Sequence, residues 1–277
     1  RNMTNKLVSI VLPTYNGQDH VADSIESCLR QTYTNIELII VNDCSKDNTL
    51  EIAQSYAQRD PRVRIVDNPH NLKLPASLNA GFLVAKGEFL TWTSDDNMYR
   101  DNAIETMVET LARTSADFVY CGYTVTDMDG KVECVRPPLP SESILSINPV
   151  GACFLYTRYV YEKVGNYNVD LFCAEDYEYW SRVYRAGFKI VTCTKDLYIY
   201  RRHSHSLTTT KNRLICLNTE KVIAKNLRYS KLSAKEKSNI YLDYYNKSTV
   251  RAGRYSSFRF FMKYIGFLML SLFDKGA

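Results

Sequence analysis

The chain has 277 residues, of which 45% are hydrophobic and 23% charged, with only 11 Gly and 8 Pro. That composition excludes a disordered chain and a collagen-like repeat, and the length suits one large α/β domain or two small ones. The net charge of +5 is unevenly spread: residues 211–277 hold 14 Lys/Arg against 4 Asp/Glu, while residues 1–210 are net acidic.

Apolar runs stay below the ~18 residues that would read as a membrane-spanning helix. Residues 1–12 contain no basic stretch ahead of the short apolar run and no cleavage site after it, so no secretory signal is expected and Met3 reads as a native start. The eight cysteines, at 28, 44, 121, 134, 153, 173, 193 and 216, form no C-x-x-C pair. They read as free, mostly buried thiols in a reducing, cytoplasmic setting.

Residues 7–12 predict a buried strand ended by Pro13, followed by a turn at 14–17. Val21, Ile25, Cys28 and Leu29 then recur at helical spacing, with Asp19 placed to cap the start. Residues 36–42 predict a second buried strand, 43–47 a polar loop, and Ser45 or Asp47 the cap of a helix running to about Gln58. A strand at 62–66, a helix at 74–85 and a strand at 88–93 follow. The last runs directly into Ser94-Asp95-Asp96-Asn97. Ile104, Met107, Val108 and Leu111 mark the next amphipathic helix.

Beyond that point, strands are predicted at 117–125 and 131–135 around an Asp129-Gly130 turn, then at 150–157, 188–193 and 197–201, with a helix at 176–186. From about 211 the pattern is helical. Strands alternating with helices predict an α/β fold, with a mainly parallel, Rossmann-like sheet covered on both faces and a C-terminal helical tail. In such sheets ligands bind beyond the carboxyl ends of the strands. The polar loops 13–17, 42–47 and 94–97 lie there.

Four constellations bear chemistry. Asp95 and Asp96 place two carboxylates side by side, which suits a hard cation such as Mg²⁺ or Mn²⁺ but also an ordinary solvated turn. Pro13-Thr-Tyr-Asn16 and Asn42-Asp43 offer a ring and a carboxylate to a base, or simply a turn and a cap. Glu175-Asp176 opens a helix, as a cap or as a general base. Tyr200-Arg-Arg-His-Ser204 suits phosphate or metal, or is a basic surface loop. No G-x-G-x-x-G follows the first strand and there is no P-loop motif.

Taken in order, VSIVLPTYNG (8–17), SCLRQTYTNIELIIVNDCSKDNT (27–49), NLKLPASLNAGFLVAKGEFLTWTSDDN (71–97), GACFLYTR (151–158), AEDYEYWSR (174–182) and YRRHSHSLT (200–208) resemble the family 2 glycosyltransferases of the GT-A fold. The resemblance covers about residues 7–210 and leaves the tail outside it. It implies an inverting enzyme with a nucleotide-sugar donor, usually UDP-linked, a glycan or lipid-linked glycan acceptor, and Mn²⁺ or Mg²⁺. Carried over by position, Pro13, Tyr15 and Asp43 hold the base, and Lys73 lies near the ribose or diphosphate. Asp95 and Asp96 share the metal and ribose contacts, His203 reaches the metal or diphosphate, and Asp176 is the catalytic base. Many members have Asp where this chain has Thr93, so the usual D-x-D is reduced to Ser-Asp-Asp-Asn. The Q-x-x-R-W motif of processive synthases is missing, which implies one transfer per binding event.

The resemblance divides the chain into a donor half (3–115), an acceptor half (116–210) and the tail (211–277). A nucleotidyltransferase would show a Gly-rich loop and a basic residue after the first strand, and a non-catalytic module would have lost a carboxylate at 95, 96 or 176. Neither pattern is present. The tail combines Arg251, Arg254, Arg259 and Lys263 with an uncharged run from Tyr264 to Phe273. Residues 251–273 therefore predict peripheral contact with the inner face of a membrane rather than nucleic-acid binding, the alternative being that the same side chains pack on the catalytic domain or form a dimer contact. A role in bacterial surface-polysaccharide synthesis is the expected setting.

Overall fold

The computed structural model describes residues 5–252 and 254–273, without the side chains of 247–260 and 273. Its first half alternates strand and helix: β1 (Val8–Thr14), α1 (Val21–Leu29), β2 (Ile36–Asn42), α2 (Thr49–Arg59), β3 (Val63–Asp67), α3 (Leu74–Val84) and β4 (Phe89–Trp92). Then come β5 (Met98–Tyr99), α4 (Ala103–Thr114), the hairpin β6 (Phe118–Thr126) and β7 (Val132–Arg136), β8 (Phe154–Thr157), α5 (Arg158–Val164), α6 (Glu175–Arg185) and β9 (Ile190–Arg201). A single turn, α7 (Leu207–Thr210), leads into α8 (Asn212–Tyr229), α9 (Ala234–Ala252) and α10 (Arg254–Phe273).

One nine-stranded sheet runs through both halves in the order β3-β2-β1-β4-β8-β6-β9-β5, with β7 on β6. Alternation along its strands divides the core. Val8, Ile10 and Leu12 of β1, with Leu38 and Ile40 of β2, face α1, α2 and α4. Val11, Ile39 and Val41 face α3 and the layer that also contains α6 and α8. Both faces are therefore apolar along each central strand, as a doubly covered sheet requires.

The expectation of a mainly parallel sheet is corrected. β3, β2, β1 and β4 are parallel, but β8 inserts antiparallel to both β4 and β6, and β5 and β7 are antiparallel to their partners. β6 and β9 pair parallel. The strand expected at 150–157 begins only at Phe154, because Gly151 turns the chain at φ +66°. The strands expected at 188–193 and 197–201 are one, β9, whose register against β6 slips after Cys121–Cys193.

Pro13 does not end β1 but lies inside it, opposite Val41. The ladder to β4 stops at Val11–Trp92, and Pro13 faces that vacated side, so its missing N–H removes no ladder bond. Asp19 does not cap α1. The N-cap position is His20 with no side-chain bond, and the Gly17 carbonyl accepts from both His20 and Val21 instead. Asp47 does serve α2, accepting from the Thr49 N–H at 3.1 Å. All eight cysteines are free, but only Cys28, Cys121, Cys153 and Cys216 are fully buried.

The tail folds onto the domain. Tyr264 and Phe267 pack against the core layer beneath α8 and α9, Phe267 stacks on Tyr241 at 5.6 Å, and Lys263 pairs with Glu220 at 2.7 Å. Met262, Met269, Leu270 and Leu272 lie on the exposed side of α10. No helix among the described residues is long and apolar enough to cross a membrane. The expected contributions of Arg251, Arg254 and Arg259 fall outside the described side chains.

Candidate active site

Because β1, β2, β3 and β4 run parallel, the loops after them gather at one edge of the sheet. β8 runs the other way, so the Asn148–Cys153 segment before it reaches that same edge. Non-glycine residues with positive φ concentrate there: Asn16, Cys44 and Lys73 follow β1, β2 and β3, and Cys173 precedes α6. Backbone held in this region is strained and clusters where a site demands it.

The carboxylate loop after β4 is built from three sides. Thr14 donates from Oγ1 to Asp95 Oδ2 at 2.6 Å. Gly17 lies so close that an added Cβ would stand 2.3 Å from the same oxygen. Burial and the adjacent Asp96 push the Asp95 carboxyl up to about 7. Asp96 turns to the end of β9, where its Oδ2 lies 3.0 Å from His203 Nε2. Arg201 locks the two segments together: its N–H donates to Asn97 Oδ1 at 2.8 Å, its Nε to the Asp96 carbonyl, and its Nη1 to Asp23 on α1 at 2.6 Å. Arg201 Nη2 is left buried and unpartnered, and the half-exposed Arg202 guanidinium pairs through Nη1 with Glu133 at 2.7 Å.

Thr93, at the position where D-x-D members have their first Asp, is buried and shares a 2.6 Å hydrogen bond with the Tyr198 hydroxyl. Its side chain points into the core, so the shortened motif leaves Asp95 and Asp96 as its partly exposed carboxylates at this edge.

Asp96 Oδ1 is buried without a partner. An orphan carboxylate oxygen beside an imidazole nitrogen is a donor set that Mn²⁺ or Mg²⁺ accepts. Among the described residues no third His, Cys, Asp or Glu completes a cluster. Asp96 and His203 thus fit part of the ligand set of such a cation.

Asp43, after β2, braces the loop after β3. Its Oδ1 accepts from Asn68 Nδ2 at 2.9 Å and the Leu72 N–H at 2.8 Å, and its Oδ2 from the Lys73 N–H at 2.9 Å. A carboxylate has about four acceptor positions, so one remains on Oδ2. Tyr15 is 48% exposed and its ring is open to a stacking partner. Pro13 is buried in β1, beneath these loops. The Lys73 ammonium lies over the Phe172 ring at 5.6 Å, reaching toward the segment before α6.

Glu175 and Asp176 open α6. Glu175 is buried with Oε2 unpartnered, and burial together with Asp176 pushes it up to about 8. Asp176 is half-buried; its Oδ1 accepts from the Tyr177 N–H at 2.7 Å and its Oδ2 from Asn148 Nδ2 at 2.8 Å. Desolvation raises its carboxyl, and those two donors oppose the rise. Asn148 thereby brings Asp176 to the edge where Asp95 and Asp96 lie. Sequence reading singled out Asp176 but not Asn148, whose setting in Ile-Asn-Pro-Val-Gly is an ordinary turn composition. It also missed Thr14, which lies in the Pro-Thr-Tyr-Asn motif but reads there only as a turn residue.

The sequence profile described as "Glycosyl transferase family 2" matches residues 9–165. The chain belongs to glycosyltransferase family 2. An uncharacterized glycosyltransferase of Rickettsia prowazekii, RP339, is 33% identical over 199 residues, covering 68% of this chain and 61% of its own length. This chain thus matches under two thirds of that relative. Two solved structures share the fold: TarS 1–349 of S. aureus in complex with UDP-GlcNAc, and the mannosyltransferase PcManGT of Pyrobaculum calidifontis in complex with GDP-Man and Mn²⁺. The first has a TM-score of 0.68 at 16% identity, covering 88% of this chain and 73% of that one. The second has a TM-score of 0.67 at 15% identity, covering 97% and 75%.

Proposed function

We propose that this family 2 glycosyltransferase is an inverting enzyme. It moves a sugar from a UDP-linked donor to a hydroxyl of a glycan or lipid-linked glycan acceptor in bacterial surface-polysaccharide synthesis. The observation that supports this most is the gathering of three carboxylates at one sheet edge: Asp95 and Asp96 after β4, and Asp176 tied by Asn148 to the segment before β8.

Tyr15 stacks on the uracil, and the remaining acceptor position of Asp43 takes its N3–H. Asp95 receives the ribose, and Lys73 reaches the diphosphate. Asp96 and His203, beside Asp95, would hold Mn²⁺ or Mg²⁺, which when bound would supply positive charge to the departing diphosphate. Asp176 accepts the proton of the acceptor hydroxyl as its oxygen bonds to the anomeric carbon. The bond to the diphosphate breaks on the opposite face, its electron pair leaves with the diphosphate, and the anomeric configuration inverts. Glu175 is less suited to be the base, since its side chain is more deeply buried than that of Asp176 and burial pushes its carboxyl up.

The exposed side of α10, with Met262, Met269, Leu270 and Leu272, supports a peripheral membrane contact that would bring a lipid-linked acceptor to the cleft.

Calorimetry with UDP and CDP tests the donor reading. Cytosine has no N3–H to give Asp43, so UDP should bind more tightly, and Tyr15→Ala should weaken UDP by about 1–3 kcal/mol. Equal affinity for the two nucleotides would contradict a uracil site.

A further inference from the structure

We propose that Asn148 is the positioning residue for Asp176, fixing the direction in which that carboxylate faces the acceptor hydroxyl; this rests on the reading of Asp176 as the base. The Asn148 amide is committed at both ends. Its Oδ1 accepts from the Val150 N–H at 3.2 Å, which turns Nδ2 toward Asp176 Oδ2 at 2.8 Å. Oδ1 of Asp176 is held from the other side by the Tyr177 N–H. A carboxylate gripped at both oxygens has one orientation, and the lone pairs left over define where a proton is taken.

The turn that presents Asn148 is itself stiff. Pro149 restricts the backbone of the residue before it to extended conformations. Gly151 has φ +66°, and the Tyr123 ring lies against it so closely that an added Cβ would stand 2.4 Å from the ring. Upstream, the Ile144 carbonyl accepts from the Tyr177 hydroxyl at 2.8 Å and from Asn226 Nδ2 at 2.9 Å. Asn226 belongs to α8 and also donates to Ser181 on α6 at 2.9 Å. The tail thus clamps the 141–148 segment onto the helix that bears Asp176.

The charged and titratable groups around Asp176 come from several elements. Glu175 precedes it on α6, Tyr123 faces it from β6 and Tyr167 from the segment after α5. Cys173 lies beside it and also feels the ammonium groups of Lys73 and Lys211. Among the described residues, Asn148 is the one side chain that bonds Asp176 directly. Removing its donor favours the protonated form of Asp176, so the acidic limb of the pH–rate profile must move upward.

The test is the pH profile of kcat for Asn148→Ala and Asn148→Asp in the full chain, with UDP affinity and melting temperature measured alongside. Asn148→Asp keeps the shape and the acceptor for Val150 but replaces the donor with a second negative charge. The expected result is an acidic limb raised by about one pH unit in Asn148→Ala and by more in Asn148→Asp, with UDP affinity unchanged. A fall in kcat with an unmoved limb in either folded variant marks a merely structural contact and overturns the inference. Asp176→Asn, run in parallel, separates the two readings. If it keeps parental turnover, the base assignment fails; if it is crippled while the Asn148 variants keep the parental limb, only the positioning role fails.

Discussion

His203 Nε2 lies 3.0 Å from Asp96 Oδ2, across 107 positions of sequence, with Asp96 Oδ1 buried and unpartnered beside it. The Arg201 N–H, donating to Asn97 Oδ1 at 2.8 Å, ties together the two segments that carry the pair. If these two side chains hold the cation, EDTA should abolish transfer and Mn²⁺ should restore it. Asp96→Asn and His203→Ala should each raise the Mn²⁺ concentration needed for half-maximal activity by about tenfold or more. Full activity in EDTA would remove the cation from the account and leave Lys73, Arg201 or Arg202 to meet the diphosphate.

Thr93 offers a stability test of the shortened acidic motif. Restoring the Asp found in D-x-D members buries a carboxylate against the Tyr198 hydroxyl. Thr93→Asp should destabilise the fold by about 3 kcal/mol, and Thr93→Val by about 1–2 kcal/mol through the unpartnered tyrosine. Denaturant melts report both. A Thr93→Asp protein as stable as the parent would mean that the side chain turns out toward the cleft.

Glu175 predicts a pH dependence of stability. Burial first, and then the adjacent Asp176, push its carboxyl up to about 8 in the folded protein, from an ordinary glutamate value of 4.5. Between those values the folded protein keeps a proton that the unfolded chain has released, so the contribution is fully present below the lower value and lost as pH rises through the upper one. The melting temperature should therefore decline from pH 5 to pH 8, and Glu175→Gln should flatten that decline. An unchanged slope in Glu175→Gln would assign the dependence elsewhere.

The tail gives opposite expectations for its two sides. Phe267→Ala removes a ring packed on Tyr241 and should reduce stability by about 2 kcal/mol. Truncation after Ser248 should lower the melting temperature further, since Tyr264 and the Lys263–Glu220 pair go with it. Replacing Met269, Leu270 and Leu272 with Ser should leave melting nearly unchanged and reduce co-flotation with phosphatidylglycerol vesicles at low salt. A parent protein that does not float at low salt contradicts the membrane contact.

Much of this site was readable as residue order. Asp95-Asp96, Asp176 and His203 each sit in a local motif, and a sheet whose first strands are parallel must gather the loops that follow them. Asn148 was not readable, because its meaning lies in a contact with Asp176 across 28 positions and nothing in a turn sequence encodes its partner. The antiparallel insertion of β8 was hidden for a similar reason, since a buried strand of four residues has the same composition in either direction. Thr93 looked like a lost ligand in sequence, whereas its burial against Tyr198 shows a core position.

The most direct test is single-turnover transfer by Asp176→Asn, with UDP affinity measured on the same preparation. The exchange preserves shape and removes the proton acceptor. The account predicts a loss of turnover of order 10²–10⁴-fold with UDP affinity essentially unchanged. Turnover close to the parent's in Asp176→Asn, together with a crippled Glu175→Gln, would contradict it and move the base to the preceding residue.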